Sequence, residues 1–303
     1  MSRLVHDVEF DPAYGIAVEI RPGIRRLTAR NPGPFTFHGT NTYLIGTIDL
    51  TVVDPGPQDE EHVAAILKAA EGARISTILV SHTHKDHSPA APVLAARTGA
   101  TVLGCTPHRS ARELALGEIN ALDASADTDF RADEELADGA ELALSAGRFV
   151  VVATPGHTAN HLSFALPDEN LLFSADHVMA WSTSIVAPPD GSMQAYLDSL
   201  DRLSARAETV YLPGHGAPVR DAQTYVAALK EHRLRREASV LAVLTATPLT
   251  IPQIVDAVYL GLDPSLKVAA ALSVFAQLER LTELGHVRID TGSGLSATYA
   301  RSQ

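Results

Sequence analysis

Cysteine is almost missing from the 303 residues: Cys105 stands alone, which excludes an internal disulfide and any zinc cluster built from thiolates only. No stretch approaches the roughly 20 uninterrupted apolar residues that a membrane-spanning helix needs. The opening segment MSRLVHDVEF lacks the basic start and apolar run of a secretory signal. These absences lead us to expect a cytoplasmic protein with no membrane partner. Basic residues are also scarce, 24 Lys and Arg against 36 Asp and Glu, for a formal charge of −12. That balance excludes a protein that coats nucleic acid through bulk charge, although not one with a local basic site. Aromatic residues make up only 5%, few for the stacking that long single-stranded RNA requires. Apolar residues, by contrast, reach 46% and charged residues only 20%, so a sizeable core is expected and disorder is not.

The chain has two characters. Residues 1–216 carry 15 basic and 28 acidic groups, whereas residues 217–303 carry 9 and 8. The first part contains short apolar runs that end in Gly, Pro, Asp or His: 43–45, 50–53, 75–80, 101–103, 149–152, 171–173 and 210–212. Runs of that length, rich in Val, Ile and Leu and bounded by turn formers, predict buried strands. Helices are predicted between them at 59–71, 88–98, 107–116 and 192–205, giving a layered α/β domain. After Pro218 the pattern changes. Residues 221–244 predict one long helix, Thr250 an N-cap for a short one, and 265–285 a third that ends at Gly285. Residues 286–290 and 295–301, around a turn at 291–294, predict a small hairpin. Three helices and a hairpin follow the order of a winged helix-turn-helix, so the expected domains are 1–218 and 219–303. The third helix offers Lys267, Gln277 and Arg280 for outward contacts against a long apolar series. It is therefore expected to be mostly core rather than a groove-reading helix.

Thirteen histidines in so acidic a chain point to chemistry. The predicted strand at 75–80 runs into Ser81-His82-Thr83-His84-Lys85-Asp86-His87. In extended backbone, residues two apart face the same way, so His82 and His84 can grip one ion. Asp86 and His87, past the bend, can reach a second. Imidazole with carboxylate suits zinc, with iron and manganese as competitors. Three further residues each follow an apolar run: His157 in TPGHT, Asp176, and His215 in PGHG. Strand ends along one edge are rigid platforms on which distant loops converge. Together these side chains form a complete ligand set for two ions.

The order HxHxDH, PGHT, strand-end Asp, PGHG resembles the metallo-beta-lactamase superfamily over about residues 20–216. The resemblance implies an αββα sandwich with two Zn2+ at one edge of the paired sheets. One ion would be held by His82, His84 and His157, the other by Asp86, His87 and His215, and Asp176 would bridge them. Asp54, in Val-Asp-Pro-Gly, would lie just outside the ligands and orient them; simple turn chemistry is the alternative. One departure is that Ala175 precedes the bridging Asp, where the family more often has Gly. Asn31-Pro-Gly-Pro-Phe-Thr36, Gly39-Thr-Asn-Thr-Tyr43 and the basic stretch Lys230, Arg233, Arg235, Arg236 resemble the beta-lactamase-like protein 2 branch. That branch includes thioesterases acting on carrier proteins and endoribonucleases acting on single-stranded RNA.

The expected activity is hydrolysis by a hydroxide shared between two metal ions, which also clamp the leaving oxygen. A small or carrier-bound acyl substrate, a thioester above all, is expected; single-stranded RNA and a nucleic-acid-binding regulator are the alternatives. Asp86 is expected to serve catalysis as well as metal binding. His161 is the first candidate for proton delivery to the leaving group and His177 the second. Lys85 is expected to be a solvated charge, Thr40 and Asn41 to form a turn, and Trp181 to pack in the core or wall the cleft. The tail is expected to pack on the catalytic domain, shape its cleft or make a homodimer contact.

Overall fold

The structure, a computed structural model, describes residues 4–302 apart from 117, 121 and 122. A first sheet has seven strands in sequential order: β1 (Val18–Arg21), β2 (Ile24–Thr28), β3 (Asn41–Ile45), β4 (Asp49–Val53), β5 (Arg74–Val80), β6 (Thr101–Gly104) and β7 (Glu134–Glu135). A second has six: β8 (Glu141–Leu144), β9 (Gly147–Ala153), β10 (Leu162–Leu166), β11 (Leu171–Ala175), β12 (Val210–Pro213) and β13 (Val219–Arg220). Leu27, Leu44, Ile78 and Leu79 of the first sheet meet Phe149, Phe164 and Phe173 of the second in one buried cluster. This is the central core of a sandwich. Helices α1 (Glu60–Ala69) and α2 (Ala90–Thr98) cross over between the parallel strands β4, β5 and β6, and α3 (Met193–Ser204) joins the parallel pair β11 and β12. On the second sheet's other face, Ala165, Leu172 and Tyr211 pack against Leu197 and Leu200 of α3 and Val226 of α4 (Ala222–Val243). The layers are αββα.

Local chemistry explains where the helices start. Asp59 caps α1 by accepting from the Glu61 amide at 2.9 Å, and Ser192 caps α3 through the Ala195 amide. Both satisfy amide groups that a helix start leaves open. The predicted helix at 107–116 is not formed. Its backbone and side chains bond elsewhere: Ala111 N donates to Pro189 O at 2.8 Å and Ser110 Oγ to Asp190 Oδ1 at 2.9 Å. Arg112 pairs with Glu118 and Glu279. Such competing partners draw the segment out of helical geometry.

The C-terminal part contains α5 (Ile251–Val258), α6 (Lys267–Glu283) and a small sheet in which β16 (Thr298–Arg301) lies between β14 (Leu249–Thr250) and β15 (Val287–Thr291). Thr250 and Gln253 close a capping box at the start of α5, a reciprocal pair of hydrogen bonds. This is a winged helix with a third strand. In α6 the apolar series is buried as expected, but Gln277 is also fully buried and Val268 is 66% exposed. Helix α4 belongs to two cores. Its Ala222, Val226 and Leu229 join the α3 layer, and Val240 joins α5, α6 and the small sheet. No helix among the described residues is long and apolar enough to cross a membrane.

Candidate metal centre

Every predicted ligand leaves the end of a strand at the same edge of the sandwich. The loop Ser81–His87 follows β5, His157 lies between β9 and β10, Asp176 follows β11, and His215 follows β12. The structure brings them into two groups: His82, His84, His157 and Asp176, and then Asp86, His87 and His215. In the first, His84 Nδ1 lies 3.1 Å from His82 Nε2 and 3.0 Å from His157 Nε2. In the second, Asp86 Oδ2 lies 3.3 Å from both His87 Nε2 and His215 Nε2. Asp176 stands between them. Its Oδ2 is 3.5 Å from His157 Nε2, and its Oδ1 is 3.4 Å from His87 Nε2 and 3.3 Å from His215 Nε2.

The remaining nitrogen of most of these rings is held from behind. His157 Nδ1 donates to Ile185 O at 2.6 Å, and His215 Nδ1 to Gly39 O at 3.1 Å. His87 Nδ1 lies 3.0 Å from Asp54 Oδ2. Asp54 itself accepts from the Ser81 amide at 2.8 Å and from Ser81 Oγ at 2.7 Å. Such outer bonds fix the tautomer and aim the other nitrogen inward. Asp54 thus lies behind the cluster and touches one ring of it. At β11's end Ala175 adopts φ +42°, a left-handed conformation natural to glycine. Alanine keeps the turn that the family more often builds with glycine.

Burial divides the centre electrically. Desolvation, with His87 and His84 as neighbouring like charges, holds His82 well below the usual imidazole range. Desolvation and His157 push His84 down to about 3, and desolvation also lowers His157. Neutral rings present lone pairs, and three converge on one point. In the other group desolvation is outweighed. Asp176 and Asp86 push His215 up to about 10, and the same carboxylates raise His87. Asp86 and Asp176 are held well below the carboxylate range despite burial, chiefly by His87 and His215.

The centre opens into a cleft of about 360 Å³ lined by Asn31, Phe35, Thr36, Pro57, Lys85, Ser125, Met179 and Ile185 beside His84, Asp86, His157, Asp176 and His215. Lys85 is exposed, and its Nζ donates to Ala124 O. Two sequence expectations are corrected here. His161 and His177 do not line the cleft; they are 1% and 0% exposed. His161 lies behind His82, ring centroids 5.0 Å apart, with Nδ1 against Thr154 Oγ1, and His177 packs on Tyr196. Neither is placed to reach a leaving group. Trp181 does not wall the cleft either, but stacks on Phe37 with centroids 4.8 Å apart. Thr40 and Asn41 do more than turn the chain. Thr40 Oγ1 donates to Asp86 Oδ2 at 3.0 Å, and Asn41 Nδ2 ties down Pro213 O and Gly216 O beside His215. The polar Gly39-Thr-Asn stretch carried that signal. Ile185 and Gly39 carried none, because they act through carbonyl groups that any residue possesses.

The Metallo-beta-lactamase superfamily profile matches residues 35–215. The chain belongs to the metallo-beta-lactamase superfamily. A Beta-lactamase associated winged helix domain profile matches residues 250–294. Among similar proteins of this superfamily architecture is a Beta-lactamase-like protein 2 homolog from Caenorhabditis elegans, 29% identical over 276 residues, covering 89% of this chain and 87% of that one. Another is an Atrochrysone carboxyl ACP thioesterase from Aspergillus chevalieri, 27% identical over 303 residues, covering 91% and 90%. A beta-lactamase domain protein from Burkholderia ambifaria has the same fold, with a TM-score of 0.76 at 24% identity over 96% of this chain and 95% of that one.

Proposed function

We propose that this superfamily hydrolase cleaves a thioester, with a carrier-bound acyl group as its substrate and two zinc ions as its cofactor. The observation that carries the reading is Asp176, whose two oxygens face one cluster each. The donor set fits two divalent ions. His87 Nε2 and Asp176 Oδ1 are buried without a hydrogen bond, and three imidazole nitrogens about one point cannot satisfy one another. His82, His84 and His157 would hold one ion, Asp86, His87 and His215 the other, and Asp176 would serve both. Ions held there supply Lewis acidity and a water with a pKa near neutrality.

The chain's own residues do the rest. Thr40 Oγ1 fixes the carboxylate of Asp86, which is partly exposed to the cleft. Phe35, Met179 and Ile185 offer an apolar wall to an acyl chain. Beyond the candidate ligands the lining includes one cation, Lys85, whereas an RNA path needs a continuous basic track with stacking groups. The thioesterase relative supports the same choice. The free, buried Cys105 fits a reducing cytosol, where we place the enzyme, and we propose a domain division at 218/219.

Metal analysis followed by a substrate panel tests the reading. We expect zinc uptake and turnover of acyl-CoA or S-acylglutathione, and loss of both metal and turnover in Asp176→Ala with a near-native far-UV spectrum. Cleavage of single-stranded RNA with no thioester turnover would overturn the substrate, and Asp176→Ala with full metal would overturn the bridging role.

A further inference from the structure

Arg233 projects from the middle of α4, outside both matched segments. It is 4% exposed, and among the described residues it has no carboxylate partner. A guanidinium buried without a counter-charge is expensive, and an apolar residue of similar length would fill the space at less cost. What the guanidinium adds is a fork. Nη2 donates to Ser184 O, Nη1 reaches Ser273 Oγ of α6 at 3.3 Å, and the central carbon lies 5.2 Å from the centroid of the Tyr196 ring.

Two of those contacts lead into the metal centre. Ser184 is followed by Ile185, whose carbonyl accepts from His157 Nδ1 at 2.6 Å. Tyr196 is the second path. Its hydroxyl donates to the carbonyl of His177, next to Asp176, at 2.9 Å. Its backbone also backs Gly156, the residue before His157, so closely that a Cβ on Gly156 would lie 2.4 Å from Tyr196 Cα. Arg233 therefore touches what holds His157 on both flanks and what holds the backbone after Asp176.

We infer that Arg233 is a positioning residue for the metal centre: from α4 it fixes the Ser184 carbonyl and the Tyr196 ring, and through them the aim of His157 and Asp176. This rests on the reading of those two residues as ligands. It gives the C-terminal helix a part in the centre itself, so that the first 216 residues do not complete the site without it.

The test titrates the metal-free full chain with Co2+ against a competing chelator, read by visible absorption, with thermal melting alongside. Arg233→Met should melt cooperatively yet bind one equivalent of Co2+ about tenfold more weakly and with altered bands, the low end of what loss of an outer partner costs, because Arg233 acts on the candidate ligands through Ser184 and Tyr196. Arg233→Lys should also weaken it, because an ammonium lacks the fork. Ser273→Ala, which severs only the α6 contact, should stay within about twofold of the native chain. If Arg233→Met fails to fold, Arg233→Lys decides. Native Co2+ affinity and spectrum in a folded Arg233 variant, even one with a lower melting point, would make Arg233 a packing residue and overturn the inference. A native chain that takes up no Co2+ would instead overturn the ligand assignment beneath it.

Discussion

Adding one methyl group at Gly214 should dismantle half of the centre while leaving the fold standing. A Cβ at this position would lie 2.4 Å from Asp176 Oδ1 and 2.7 Å from His87 Cε1. The backbone dihedral there lies outside the left-handed region, so alanine meets no conformational penalty and the clash is the whole effect. Nor can the backbone retreat. Gly214 N donates to Ala175 O at 2.8 Å, and its carbonyl accepts from Asn41 N at 2.7 Å. What can give is the carboxylate of Asp176, which turns away and leaves His87 and His215. Overpacking by a methyl costs about 1–3 kcal/mol where nothing yields. Relief through Asp176 transfers a similar sum to metal binding, about fivefold to 150-fold in affinity. Chelator competition on Gly214→Ala should show one ion weakened by that factor and thioester turnover reduced with it, alongside a cooperative melt. Two ions bound with native affinity and unchanged turnover would refute the reasoning, since the methyl would then have been absorbed without moving either ligand.

Two further outcomes follow from charge. Burial depresses His62, whose ring lies against Thr42 Oγ1, to about 4. The unfolded chain therefore takes up a proton below about 6.5 that the folded one refuses until about 4, so stability falls as pH is lowered through that window. The fall should reach about 3 kcal/mol, and denaturant titrations of His62→Gln should show a shallower one. In the metal-free protein the raised His87 and His215 carry protons that a cation must displace, whereas the lowered His82, His84 and His157 do not. Calorimetry in buffers of different ionisation enthalpy should find proton release at neutral pH with one ion and not the other, and the proton-linked affinity should rise with pH. Equal release for both would contradict the charge asymmetry.

Much of the centre is legible in the linear chain because its candidate ligands are short-range features of strand ends. HxHxDH places four side chains in one loop, and an apolar run before His157, Asp176 and His215 says that each is carried by a strand. The long helices were legible for a similar reason: 222–243 and 267–283 show extended patterns with clear ends. Segment 107–116 was misread because its partners, Pro189, Asp190 and Glu279, lie far away in sequence. Helical spacing says nothing of them. His161 and His177 were misplaced for a geometric reason. Being near a ligand in sequence puts a side chain near the metal centre, but a turn decides whether it faces the cleft or the layer beneath. β14 escaped notice because two residues carry no period, and its existence depends on β16 reaching it.

Backbone strain supports the division of the centre into unlike halves. Two strand ends bend through left-handed residues that are not glycine, Asp54 at φ +49° after β4 and Ala175 at φ +42° before Asp176. Each costs about 1–2 kcal/mol, and such conformations persist only where the surroundings over-determine them. Both are pinned. Asp54 receives two bonds from Ser81 and faces His87, and the Ala175 carbonyl is held by Gly214 N. Both bear on His87, since Asp54 backs its ring and Asp176 Oδ1 faces it, while the other oxygen of Asp176 turns toward His157. The strain thus sits under carboxylates that face the two buried rings carrying charge. Under His82, His84 and the β5 end, where the rings are neutral, no such bend occurs among the described residues. The neutral pair His82 and His84 can be placed by an extended strand and its turn. A cluster of opposed charges needs its carboxylates aimed, and at two strand ends this chain achieves that by forcing the backbone.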